Sequence, residues 1–511
     1  MSKIEIKFNQ GIQKPAQLGT VILKPTAGGK LSYAQNIWTI GQEYGEGVLT
    51  PGPDLTTLTN NDDLTGVPIG YAKSRTANVI VFIEGILGAT NVVRSVNQVT
   101  AGSTPQVEDG VSETIDHTSH TGEILKDILA RDDDIYILGE DATDGWVQKD
   151  AFTGGVFSFS AVQTLSSYAA GHATMIKASD NNLYILHGRL VDTLDASDTY
   201  APAAFTLPVG YMGTDLAEWN GVMAFAYHVG KITGIANRKE KGRAGILLWD
   251  MIATANFIRD ISCPSNYISA MVNKPDGNLI VFGSLRNGMT TIYQFTGYGF
   301  QEITSYIGEP PRNRHSVDFD NEGRLFWQTL DGQVCMYDFT QGKFEHITSI
   351  TASSGNGGIL TSLLGSTGNE WLIGAGKSGS PNTFTIAKTN YANYIGDGNA
   401  STDDTTTPLA ISGQEFLPDK STITAITLHL SRELTTSEKL VLRLYKNGNT
   451  TSTDYLTMEY SSAEPAISSK REVKSVPGVS NFALGLAFKQ TDGLASAPPV
   501  VTAIVEYETT L

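Results

Sequence analysis

Charge is scarce in this chain. Asp, Glu, Lys and Arg make up 17% of its 511 residues, below the roughly one quarter usual for soluble proteins. Cations are scarcest: 36 Lys and Arg stand against 53 Asp and Glu, for a formal net charge of −17. Phosphate binding needs clustered Lys and Arg, and no basic stripe appears, which argues against a nucleic-acid partner. The local patch Arg238-Lys239-Glu240-Lys241 reads as a solvated loop. Cysteine is nearly absent. Cys263 and Cys335 lie far apart and read as two small buried hydrophobes rather than a disulfide. No apolar run approaches a membrane span, and Met1-Ser2-Lys3-Ile4-Glu5-Ile6 alternates like a charged strand rather than a signal peptide. The expectation is a chain made and folded in a cytoplasm, with no membrane partner. HExxH, P-loop, GxSxG and Cys-x-x-Cys motifs are missing as well, so no catalytic residue, metal or cofactor is expected.

What is present is repetition. Residues 291–304 read TIYQFTGYGFQEIT and residues 335–348 read CMYDFTQGKFEHIT, aligned at an offset of 44. Each copy is an alternating strand, a Gly-containing turn and a second alternating strand. The alignment predicts that Phe300 and Phe344 occupy equivalent buried positions. Short apolar cores recur more widely, starting at residues 79, 135, 183, 222, 279, 325 and 371. Turn residues precede each one, among them Asp132-Asp133-Asp134, Asn181-Asn182, Asn220-Gly221, Asp276-Gly277 and Asn321-Glu322-Gly323. The spacing matches one four-stranded propeller blade of about 40–50 residues. The fold class is therefore all-β: a β-propeller, of seven blades on this count, over residues 66–391.

Residues 1–65 hold no clear repeat and read as an N-terminal arm or an irregular first blade, part of which could complete the last blade. Residues 392–407, rich in Asp, Asn and Thr, read as a linker. Five alternating strands between Thr422 and Tyr507, with a hairpin turn at Asn447-Gly448, predict a separate β-sandwich over 408–511. The polar stretch 98–123 carries His117 and His120, three residues apart without a third ligand, and reads as an exposed loop.

One constellation has the placement of a binding site. His172 and His315 each fall just before a predicted innermost strand, and Asp215 holds a similar place between them. In a propeller these three would face one end of the central channel. Arg312 and Arg314 precede the same strand as His315, without counterparts in other units, and read as a solvated rim.

A low-charge propeller with an irregular N-terminal arm, degenerate blades, and the segment Pro408-Leu409-Ala410-Ile411-Ser412 leading into Thr422-Ile423-Thr424-Ala425-Ile426 resembles bacteriophage virion structural proteins of the tail, baseplate or capsid. The resemblance is architectural and covers most of the chain. It implies assembly in a host cytoplasm into a virion, oligomerisation within the particle, and partners among other virion proteins, with a host surface glycan as a further partner. It transfers no catalytic residue. A carbohydrate-binding or glycan-cleaving tail protein, and an intracellular propeller scaffold, are the alternatives.

Overall fold

The computed structural model describes residues 2–8, 10–12, 16–17, 30–35, 37–40, 48–51, 56–57, 67–73, 79–85, 92–97, 106–107, 113–114, 124–141, 143–151, 159–168, 172–230, 242–252, 257–285, 288–340, 342–349, 357–364, 370–378, 383–389, 409–434, 438–459, 467–490 and 501–509. The expected linker at 392–407 and the His117/His120 loop lie outside the described residues. Among those residues the chain is all-β, with one short 3-10 turn and no helix long and apolar enough to cross a membrane. It divides into two compact units, 56–332 with 350–388, and 1–55 with 333–349 and 389–511.

Seven sheets follow one another along the chain. Their first strands are Val67–Lys73, Ile124–Arg131, Ala173–Lys177, Tyr211–Trp219, Tyr267–Asn273, Val317–Phe319 and Gly357–Leu364. Each sheet contains four strands, in chain order in all but the seventh, and the first and fifth add a further short strand. The apolar cores read from the sequence are the second strands throughout. Ile135–Leu138, Leu183–Leu186, Leu279–Phe282 and Leu325–Gln328 are buried at every position. A strand that is apolar without alternation is one covered on both faces. Those faces meet the neighbouring sheets: Val81 and Ile83 pack with Ile135 and Ile137, and Tyr184 and Leu186 pack with Phe225 and Tyr227. The turns before these strands use left-handed backbone at Asp132, Asn181, Asn220, Gly277 and Gly323.

The first strands touch one another in chain order, and the seventh touches the first. A closed ring of innermost strands is the organisation of a propeller. The last sheet takes its outermost strand from far upstream, where Thr57 pairs with Ala387 and Thr56 with Lys388. Both cysteines are buried, and neither forms a disulfide among the described residues.

The repeat at 291–304 and 335–348 needs correction in register. Phe300 pairs with Phe295, whereas Phe344 pairs with Tyr337. Equivalence would place Phe344 opposite Phe339, so the second hairpin is shifted by two residues. An even shift keeps each side chain on its face but moves it along the ladder. Phe344 is buried, while Phe300 is half-buried against Tyr293 and Phe295.

In the other unit, all five strands expected beyond residue 420 form, as Glu415–Leu430, Glu438–Lys446, Thr453–Glu459, Ser469–Gln490 and Val501–Thr509. They belong to one hydrogen-bonded nine-stranded sheet. Its longest strand, of 22 residues, runs through Pro477 and a left-handed Gly478. Asn447 and Gly448 both adopt positive φ, the geometry a two-residue hairpin turn requires. Within residues 1–65, read as an arm or an irregular first blade with a part that could complete the last blade, Ser2–Lys7 pairs with Val501–Thr509, Lys30–Gln35 pairs with Leu409–Ser412, and Thr56–Thr57 pairs in the seventh sheet. Phe8, just after the first strand, is fully buried.

Candidate functional site

Three of the seven first strands carry an aspartate inside an otherwise apolar pattern: Lys126-Asp127-Ile128, Thr214-Asp215-Leu216 and Val317-Asp318-Phe319. All three do the same thing. One carboxylate oxygen accepts the N–H of the following residue, Ile128 at 2.8 Å, Leu216 at 2.9 Å and Phe319 at 2.9 Å. The other oxygen accepts a backbone N–H from the first strand of the next sheet: Met175 at 2.8 Å, Met271 at 2.7 Å and Ser362 at 2.8 Å. Each aspartate is thus a staple across one seam, joining the second sheet to the third, the fourth to the fifth and the sixth to the seventh. A β-bulge just before Asp127 and Asp215 turns those carboxylates toward the neighbouring strand.

The staples differ in support. Thr174, one residue before Met175, donates its hydroxyl to Asp127 at 2.6 Å, and Thr361, one residue before Ser362, donates to Asp318 at 2.9 Å. Ala270 stands at the same place before Met271 and has no hydroxyl to give. Cations follow the same division. Arg314 Nη2 lies 2.6 Å from Asp127 and Lys73 Nζ 2.5 Å from Asp318, but Arg314 Nη1 stays 3.6 Å from Asp215.

The electrostatics register the difference. Burial alone would raise all three carboxyls. At Asp127 it is outweighed by the Arg314 guanidinium and by the bonds from His315 and Thr174, which hold the group well below the usual carboxylate range. At Asp318 the Lys73 ammonium and the backbone N–H groups of Ser362 and Phe319 likewise lower it. At Asp215 burial wins, with the Asp127 charge adding to it, and the carboxyl is pushed up to about 6.

Arg314 and His315 come from a single 3-10 turn, Arg314–Ser316, capped by the Asn313 side chain, which accepts the His315 N–H at 3.0 Å. This turn reaches across the ring. Arg312 Nε donates to Gly357 O at 2.7 Å and Ser316 Oγ to Gly358 O at 2.6 Å, both on the seventh first strand or its start. Asn313 Nδ2 donates to Ile69 O at 2.9 Å on the first. Arg314 donates to Met175 O on the third and to Leu216 O, at 3.3 Å, on the fourth. A short segment bonded to the first, third, fourth and seventh innermost strands lies inside the ring that those strands form.

His315 is held from both sides. Tyr71 N–H donates to its Nδ1 at 3.3 Å, and its Nε2 lies 2.5 Å from Asp127 Oδ1. A nitrogen that accepts a backbone N–H carries no proton, so the ring proton sits on Nε2 and points at the carboxylate. A Cβ at Gly70 would press on Ile128 Cγ2 at 3.0 Å and reach ordinary contact, 3.4 Å, with His315 Cδ2. Tyr71 packs edge-on to the imidazole at 5.2 Å, and burial together with the Asp318 charge raises its hydroxyl.

Of the three residues proposed from sequence, the structure brings two into one network: His315 contacts Asp127, and Asp215 faces Arg314, which binds Asp127 in turn. His172 lies immediately before the third first strand, with its carbonyl accepting Gly188 N–H at 3.2 Å. The reading of Arg314 as a solvated rim residue is overturned, because its side chain is only 14% exposed and is spent on four partners. Asp127, Asp318, Lys73 and Tyr71 were missed. A recurring Asp followed by a large apolar residue on alternate inner strands was the available signal.

A second buried network lies in the second and third sheets. His187 and Asp192, both inaccessible to solvent, pair at 3.0 Å. Asp192 also accepts Tyr200 OH at 2.6 Å and Ala203 N–H at 2.8 Å. Tyr168 stacks on His187 and donates to Glu140 at 2.6 Å. Both networks are chemically the same device, a buried carboxylate saturated by donors.

No protein-family description matches this chain, and no curated protein does. Similar solved structures include an exo-β-1,3-galactanase from Phanerochaete chrysosporium with β-1,3-galactotriose, at 9% identity over 89% of this chain and 99% of that one, with a TM-score of 0.37. A Lactobacillus plantarum protein matches at 14% identity over 62% of this chain and 95% of its own, with a TM-score of 0.41. YCF48 bound to a D1 peptide matches at 10% identity, 66% and 94%, also with a TM-score of 0.41. Similarity at this level assigns neither activity nor residue roles here.

Proposed function

We propose that this chain is a seven-bladed β-propeller followed by a C-terminal β-sandwich, and that it works by non-catalytic binding through its outer surfaces. The observation that carries this reading is the turn at Arg314–Ser316, bonded across the ring to several innermost strands. Arg314 and His315 occupy the place where a propeller commonly holds a ligand, and Asp127 accepts five hydrogen bonds or ion pairs there. A carboxylate so committed has no lone pair left for a nucleophilic or general-base step. The closed order of the seven first strands supports the blade count. The setting implied by the resemblance to bacteriophage virion proteins is assembly with other virion components as an oligomer. Light scattering of the purified chain, and its stoichiometry in particles, test that setting. A monomer absent from particles would remove it.

Glycan binding is a second reading, favoured by one feature. Tyr298, at the tip between Gly297 and Gly299, is 83% exposed. Arg259 holds it in place, with its guanidinium 4.4 Å from the ring centre and Nη1 donating to Gly297 O at 3.0 Å. A fixed, exposed aromatic ring offers the apolar platform on which a sugar stacks. A glycan array with the native chain and Tyr298→Ala tests it: binding lost in the variant supports the reading, and no binding by either chain ends it.

A further inference from the structure

We propose that the seam between the fourth and fifth sheets is a proton-sensitive joint, held shut when Asp215 is neutral and loosened when it is ionised. The geometry sets this seam apart. All three staples make the same two backbone bonds, so the contrast lies in what else reaches each carboxylate. Asp127 has a threonine hydroxyl, an imidazole N–H and a guanidinium at 2.6 Å. Asp318 has the Thr361 and Ser362 hydroxyls, at 2.9 and 3.2 Å, and an ammonium at 2.5 Å. Among the described residues Asp215 has neither a hydroxyl donor nor a cation closer than 3.6 Å, and Ala270 stands where the other two seams place a threonine.

The charged groups acting on Asp215 are Arg314 from the 3-10 turn and Asp127 from the second sheet, which oppose one another. The fifth sheet contributes only the Met271 N–H and its own strand the Leu216 N–H. Arg314 cannot move closer without abandoning Asp127 and the carbonyl of Met175. The negative form of Asp215 is therefore buried with too little compensation, and its carboxyl titrates near 6. Opening the seam to water returns it to roughly 4. Between those values the closed state keeps a proton that the open state has released, so the closed state loses stability as pH rises. Asp127 and Asp318 are lowered, so their seams run the other way, firm at neutral pH and weakened only in strong acid.

Amide hydrogen exchange on the full chain at pH 5 and pH 7.5, corrected for intrinsic rates, reads each seam separately through the amides of Met271, Met175 and Ser362. Protection at Met271 is expected to fall about tenfold between the two pH values, as linkage across a two-unit pKa difference requires. Met175 and Ser362 should not follow. Ala270→Thr supplies the missing hydroxyl and is expected to remove most of the pH dependence at Met271, and Asp215→Asn to remove all of it. Equal pH responses at the three amides, or an unaltered response in Ala270→Thr, would overturn the joint. The comparison of the three amides in the native chain needs no variant, so the test stands even where a change at the fully buried Ala270 or at Asp215 prevents folding.

Discussion

The two units of this protein bury charge in different ways. In the unit of stacked sheets, Asp127 and Asp318 each link one sheet to the next, and the cations beside them, Arg314 and Lys73, lie 187 and 245 positions away. In the C-terminal unit, buried carboxylates are neutralised near the same sheet. Glu438, fully buried, takes both guanidinium nitrogens of Arg432, at 2.6 and 2.8 Å, six residues away. Glu506 takes Lys3 at 3.2 Å on a paired strand and Arg471 at 2.5 Å from Ser469–Gln490, beyond the neighbour Glu415–Leu430 that both pair with. The backbone shows the opposite contrast. The seven successive sheets are built almost wholly from consecutive hairpins, whereas the nine-stranded sheet joins residues 2–7 to 501–509. A stack of local hairpins leaves its seams as weak points, and charge is spent there. A sheet closed by its chain ends has its weak point at those ends.

Deleting residues 1–8 is the change expected to have the largest effect. It removes a six-residue strand and the buried Phe8 from the nine-stranded sheet, so calorimetry should lose the C-terminal unit's transition and keep the other. Loss of both transitions, or of neither, would break the comparison. Asp127→Ala comes next, with an expected cost of about 3–5 kcal/mol, because it leaves the Arg314 charge buried without its partner. Phe344→Ala should cost about 3–5 kcal/mol and Phe300→Ala about half that, since only the first ring is fully buried. Equal denaturation midpoints would restore the register that the structure corrects. Asp215→Asn is expected to change stability at pH 7 by less than about 1 kcal/mol, as the amide still accepts one backbone bond and no longer carries charge.

How much of this was legible follows from the same contrast. The seven apolar cores and their turns could be read because a hairpin is a local object: its strands and its Asn, Asp and Gly residues lie within a dozen positions. The long strands of the C-terminal unit could also be read by alternation. Which strands pair could not, because Lys30–Gln35 and Leu409–Ser412 carry no signal of each other. The site was half legible. Asp215 and His315 were found from their place before or on an inner strand. Arg314 was misread since a lone arginine beside a loop looks the same whether it faces water or reaches across a ring. Asp127 and Asp318 passed unnoticed because a single aspartate in a strand acquires meaning only when its counterparts are aligned.

The central claim is that the axis is a stapled structural core rather than a reaction centre. Urea denaturation at pH 7 of three conservative variants, Asp127→Asn, Asp318→Asn and Asp215→Asn, tests it most directly. The account predicts that the first two lower the midpoint by several kcal/mol of stability, the loss expected when a buried cation loses its partner, and that the third leaves it nearly unchanged. Three equal midpoints close to that of the native chain, together with turnover of a glycan that Asp215→Asn abolishes, would contradict it.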